Sequence, residues 1–335
     1  MQAVFSVLEI FLPAAVIMGI PLLYGCVGEI ITEKSGHLNM GIPGIMYVGG
    51  ICGVIGARIN EDIYHGNPGV LSSIFIPLLF CLLGTGLMGL LYCFLTVSLR
   101  ANQNVTGLAM TTFGTGIGNF FGGYLARSTG GSSSTTTSFT ATANIFKTTL
   151  PFADKCGWFG KVFLSYGFLV YAAIAIAVIA AIILKKTRVG LELRAVGENP
   201  ATADAVGINV TKYRYVATVI GSMIAGLGGL FYVMNSGSWQ NEGFGDRGWL
   251  AVALVIFVVW KPNLAILGSL LFGVLYQLPV YLPIMLEGLP QSIKQLLMAI
   301  PYVATLIVLI ISSIRNRREN QPPAGLGLNY YREER

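Results

Sequence analysis

Glu29 and Glu33 stand four residues apart, the spacing that puts two carboxylates on one helix face, with Lys34, His37 and Asn39 close behind. Paired carboxylates suit general acid–base work, but that chemistry needs a nucleophile or an oxyanion-stabilising group beside them. The surrounding run, GEIITEKSGHLNMGIPG, supplies neither. Glu29, Lys34 and Asn39 therefore read as ordering a turn between apolar segments. The two histidines, His37 and His65, fall in loops expected on opposite faces, and Cys26, Cys52, Cys81, Cys93 and Cys156 form no CxxC or Cys/His cluster, so neither a metal site nor a disulfide framework is expected. The pattern G-x-x-x-x-G-K-[ST] does not occur, so the chain has no P-loop for nucleotide phosphates. A second set of polar residues recurs at helical spacing: Thr112, Thr115 and Asn119; Tyr276 with Gln277; and Gln295, Met298 and Tyr302. Such amide, hydroxyl and aromatic groups either line a path for a solute or hydrogen-bond neighbouring helices, and both readings stay open.

The elements that carry these residues are dictated by composition. Of 335 residues, 54% are hydrophobic and 11% charged, whereas soluble domains carry about 25% charged residues. The chain cannot cover an aqueous surface and reads as a polytopic, all-α membrane bundle. Segments that approach the roughly 20-residue length of a span lie at 10–27, 42–57, 70–97, 106–126, 162–184, 215–236, 249–260, 264–285 and 293–314. Two of them, 42–57 and 249–260, are short, so each extends into polar flanks or is a broken, partly re-entrant element. The expected count is eight to ten.

The net charge of +6 is scattered among the hydrophobic segments rather than gathered in a patch, which argues for orientation by loop charge and against nucleic-acid binding. Placing the basic run 185–214 on the cytoplasmic side puts fourteen of the 21 Lys and Arg residues inside. The amino terminus is then external and the tail, 315–335, cytoplasmic. The transmembrane domain covers 1–314. Its external loop, 127–161, contains GGSSSTTTSFTATA, too poor in apolar residues to offset the entropy of ordering, and is expected to be flexible. The internal loop differs. Asn199 before Pro200 suits an N-cap followed by Pro at the first helical position, Ala201–Ala205 are mostly strong helix formers, and Gly207 offers a stop. The spacing predicts a cytoplasmic helix of about two turns.

The run RVGLELRAVGENPATADAVGINV, followed by IGSMIAGLGGLFYV, closely resembles the signature region of permease subunits in ABC importers of the branched-chain amino acid, ribose and nucleoside group. GEIITEKSGHLNMGIPGIMYVGG, SLRANQNVTGLAM and GDRGWLAVALVIFVVWKPNLAILGSLLFG match in the expected order, from Gly28 to Gly273, and the nucleoside branch fits best. The resemblance implies a multi-pass permease of a bacterial cell membrane that moves nucleosides inward. It also implies separate ATP-binding subunits that hold ATP and Mg, a second permease subunit, identical or homologous, and an extracytoplasmic binding lipoprotein. In that family the short cytoplasmic helix couples to the ATPase. The role falls here on Glu198, Asn199, Pro200, Ala201, Ala203, Asp204 and Gly207, flanked by Arg188 and Arg194. Asn102, Gln103 and Asn104 match the family's RANQ run and are candidates for the inner mouth. Ribose-type sugar or branched-chain amino acid cargo is the alternative within the family. A secondary transporter driven by an ion gradient is the alternative outside it, and that class needs ionisable groups deep in the membrane, which the middles of the assigned spans lack.

Overall fold

A computed structural model describes residues 2–66, 68–128, 136–149, 151, 155, 157–285, 291–315 and 321–331. The long helices are α1 (Gln2–Glu33), α2 (Ile42–Ile63), α3 (Val70–Cys93, prolonged by a π-helical turn over Phe94–Ser98) and α4 (Gln103–Ser128). A strand, β1 (Thr136–Ser138), and short helices α5 (Thr140–Phe146) and α6 (Gly157–Phe159) follow. Next come α7 (Phe168–Lys186), α8 (Arg188–Glu198), α9 (Pro200–Ala205), α10 (Val210–Ser236) and β2 (Ser238–Gln240). The chain continues as α11 (Arg247–Phe257), α12 (Pro262–Met285), α13 (Gln291–Met298) and α14 (Ile300–Arg315).

Six of the described helices are long and apolar enough to cross a membrane: Glu9–Glu33, Ile42–Ile63, Val70–Ser98, Phe168–Lys186, Val210–Ser236 and Pro262–Pro283. The remaining three expected spans are helical but fall short of that standard. Helix α4 is long but diluted by Gly, Thr and Asn, α11 is an 11-residue apolar helix, and the last segment is split into α13 and α14. The segment 42–57 extends through Arg58–Ile63 into polar residues, whereas 249–260 stops early because Val259 and Trp260 turn left-handed, with φ of 55° and 52°. The expected start of a span at residue 162 is corrected to Phe168, because Gly167 is extended and breaks the chain direction. The first span runs on past residue 27 to Glu33, carrying both carboxylates with it.

Helix α10 is central, packed against α1, α2 and α3, while α4 lies on α2 and α12 on α1. Small residues permit the close approaches. A Cβ on Gly229 would run into the Met46 carbonyl, and one on Gly114 would stand 2.5 Å from the Gly44 carbonyl oxygen. The stripes Gly114, Gly118 and Gly221, Ala225, Gly229 are thus seams between helices of the same chain, and Gly122 lies against Trp239 of β2.

At one end β1 pairs antiparallel with β2, Thr137 opposite Trp239. Part of the expected flexible loop is accordingly ordered: Phe139, Ala143 and Phe146 are buried, and Thr142 N donates to Glu61 Oε1 at 2.9 Å. Residues 129–135, 150, 152–154 and 156 of that loop lie outside the described residues, as do 316–320 and 332–335 of the tail.

Candidate functional site

Helices α8 and α9 occupy the end of the molecule opposite the β1–β2 ladder. Thr187 caps α8, its hydroxyl accepting from Gly190 N at 3.1 Å, and Asn199 caps α9, its Oδ1 accepting from Thr202 N at 3.0 Å. Pro200 is the first residue of α9, where its missing N–H costs nothing, and Gly207 follows with φ of 87°, a left-handed turn open to Gly. Ala203 packs with Val196 and Val210 under the helix. The opposite face, with Glu198, Asn199, Ala201, Ala205 and Val206, is exposed. Arg188 and Arg194 are also exposed on α8, and Arg188 Nε pairs with Glu192 Oε1 at 2.8 Å. Tyr213 OH and Arg188 both donate to the Glu192 carboxylate and hold it below the usual carboxylate range. Of the expected coupling residues, Glu198, Asn199, Ala201 and Gly207 are thus exposed around α9 and Arg188 and Arg194 on α8, whereas Ala203 is buried beneath the helix.

Helix α8 and its partners were not anticipated, although the signal was there. Val189, Leu193 and Val196 recur at helical spacing behind a Thr suited to an N-cap. What had no local signal is the tail. Gly325 N donates to the Gly197 carbonyl at 2.9 Å, Tyr330 OH to Asp204 Oδ2 at 2.6 Å, and Ala324 N to Glu198 Oε2 at 3.4 Å. The same strap reaches the helix ends beyond: Gly327 N meets the Gly36 carbonyl at 3.3 Å, and Asn329 Nδ2 meets the Arg100 carbonyl at 2.7 Å.

Beneath the strap the turn between α1 and α2 is organised as its residue types implied. Glu29 Oε1 accepts from Asn39 N at 2.9 Å, and Asn39 Oδ1 accepts from Gly41 N at 3.0 Å. Glu33 accepts from the indole N–H of Trp260. His37 bridges Thr218 and Thr96, each ring nitrogen 2.8 Å from a hydroxyl oxygen. Burial, with the nearby Arg214 charge adding to it, depresses the His37 pKa to about 3, so the ring is neutral. Among the described residues no cluster of three metal-ligating side chains occurs, and the carboxylate pair meets backbone and indole donors rather than a nucleophile.

The candidate path residues are not brought into one site. Gln103 is buried at the start of α4, its Oε1 accepting from Leu38 N at 2.8 Å and its Nε2 donating to Asn329 Oδ1 at 3.2 Å, while Asn102 and Asn104 are exposed beside it. Higher on α4, Thr112 is exposed, Thr115 half-buried, and Asn119 accepts from Tyr47 OH at 2.6 Å. Both threonine hydroxyls donate to carbonyls of their own helix. Gln277 donates to the Ala14 carbonyl at 3.3 Å, which makes it a contact between α12 and α1. Tyr276 and Tyr302 do converge: Arg247 lies 5.2 Å from the Tyr276 ring centroid, and Tyr302 OH is 3.3 Å from Asp246 Oδ2. Gln295 is exposed on α13.

Residues 12–308 match the family model described as branched-chain amino acid transport system / permease component. The chain belongs to this permease family. The permease is 30% identical over 313 residues to a nucleoside ABC transporter permease protein of Lactococcus lactis subsp. cremoris, covering 92% of this chain and 93% of the relative. It is 30% identical over 335 residues to a putative glucose ABC transporter permease protein of Haloferax volcanii, covering 93% and 94%. A guanosine ABC transporter permease protein of Bacillus subtilis is 29% identical over 311 residues, covering 91% and 92%. No solved structure matches the permease. It is a multi-pass permease subunit of an ABC transport system.

Proposed function

We propose that this permease carries nucleosides inward, driven by ATP hydrolysed on separate subunits that dock against α9. The observation that carries the coupling part is the exposed, doubly capped α9 with its neighbours Glu198, Asn199 and Gly207, presented at the end of the molecule where Lys34, Arg100 and the Lys185–Lys186 pair also lie. A helix fixed by an N-cap and by buried Ala203 moves as a unit with α8 and α10, so a push on its outer face reaches the bundle. The names of the Lactococcus and Bacillus relatives support nucleoside cargo, and the Haloferax name makes a hexose the competing reading. A second permease chain is placed against the face of α4 that bears Thr112, Phe113, Gly116 and Phe120, which is exposed in the single chain. The path is proposed to run along that face from Asn102 and Asn104 toward Asn119. Selectivity resides in a separate binding protein, which docks on the β1–β2 end.

Cells lacking the chain and complemented with it are the test of cargo. Radiolabelled guanosine uptake should return on complementation and be competed by unlabelled nucleosides. Restored uptake of radiolabelled glucose or leucine, with none of guanosine, would reassign the cargo and leave the coupling proposal standing.

A further inference from the structure

We infer that the permease has a cytoplasmic-end binding site for a phosphate-type anion, built around Arg214. A cavity of about 540 Å³ lies between the π-helical end of α3, the α9–α10 turn, the first turn of α10 and Tyr330 of the tail. That volume falls within the range of about 300–1,000 Å³ typical of small-ligand pockets. Its charged lining consists of Arg100, Lys212, Arg214 and Asp204, three cations to one carboxylate, and Asp204 already accepts from Tyr330 OH at 2.6 Å.

Arg214 is the decisive group. It is 3% exposed, and among the described residues only its Nη1 has a hydrogen-bond partner, the Leu328 carbonyl at 3.1 Å. Nε and Nη2 have none. A buried guanidinium with two unfilled donors is costly, and its geometry matches two oxygens of a phosphate or phosphate ester. The site also receives the N-terminus of α10, a helix of 27 residues. Asn209 occupies the Lys212 N–H, at 2.9 Å, which leaves the N–H groups of Val210 and Thr211 without an acceptor in their own helix. Lys212 is exposed at the rim and also borders an apolar groove of about 410 Å³ lined by Ile183, Leu184, Val216 and Ile220. A free phosphate and the headgroup of an anionic lipid, with its acyl chain along that groove, present the same chemistry. Because the cavity touches Asp204, Gly207 and Tyr330, an anion there would stiffen the α9–α10 turn beside the proposed coupling surface.

Thermal unfolding of the purified full-length chain separates the cases. Inorganic phosphate, compared with sodium chloride at equal ionic strength, should raise the midpoint saturably. Arg214→Gln should weaken the apparent affinity by about tenfold or more, and Lys212→Gln by a smaller factor. If free phosphate has no effect but nanodiscs of phosphatidylglycerol stabilise the wild type over phosphatidylcholine, and the two variants lose that difference, the anion is a lipid headgroup. Should Arg214→Gln not fold, the exposed Lys212→Gln carries the comparison alone. The inference is overturned if neither anion shifts the wild-type midpoint, or if the folded variants respond as the wild type does.

Discussion

His37 carries a distinct pH signature. Its ordinary pKa of 6.5 is depressed to about 3 in the folded chain by burial and the Arg214 charge. The unfolded chain therefore binds a proton that the folded chain refuses, so stability contributed by the neutral ring is intact above pH 6.5 and is lost as pH falls toward 3. Between pH 6.5 and 5.5 the loss is about 1 kcal/mol. His37→Gln should lower the midpoint at pH 7, where the bridge between Thr218 and Thr96 is weakened, and flatten its dependence on pH below 6.5. A variant as acid-sensitive as the wild type would assign the effect elsewhere. Gly229 is a second single-residue test. Its approach to the Met46 carbonyl leaves no room for a side chain, so Gly229→Leu should destabilise the bundle by about 1–3 kcal/mol, read as a lower unfolding midpoint. Residue types alone announced both features only in part. The sequence placed Glu29, Lys34 and Asn39 at an ordered turn, but Trp260 and Thr218, which complete the surroundings, come from segments far along the chain.

At the scale of elements, α9 was legible because its signals are local: an Asn cap, Pro at the first position, helix-forming alanines and a Gly stop. Asn199→Ala removes the cap and should cost about 1 kcal/mol of local helix stability. The measurement is amide hydrogen exchange, with protection lost across 200–206 and retained in α10. Uniform loss across both would mean that α9 has no stability of its own. The strap 321–331 was illegible for the opposite reason. Its order comes from Gly197, Gly36, Arg100 and Asp204, each far away in sequence, and its own run has no periodicity. The Ser/Thr-rich loop misled similarly, since Thr136–Ser138 gain order by pairing with Ser238–Gln240 across about a hundred residues.

For the whole molecule, low charge and apolar runs were enough to establish a helical membrane bundle, and the ordered motifs were enough to place it among permeases. The number of full-length apolar helices was not, because α4 trades hydropathy for close packing on α2 and α11 ends at a left-handed turn. The basic residues of the α1–α2 turn, α8 and the α3–α4 turn gather at one end, while Arg58, Lys147 and Arg247 lie toward the other. On the proposed reading the first of these ends receives the ATP-binding subunits. The most direct measurement is co-purification of the ATP-binding subunits with the wild-type permease, with Asp204→Lys, and with a chain lacking residues 198–207, each shown to reach the membrane in equal amount. Retention by the wild type and loss by both variants is the result expected; undiminished retention by both would contradict the claim that α9 is where the ATPase engages.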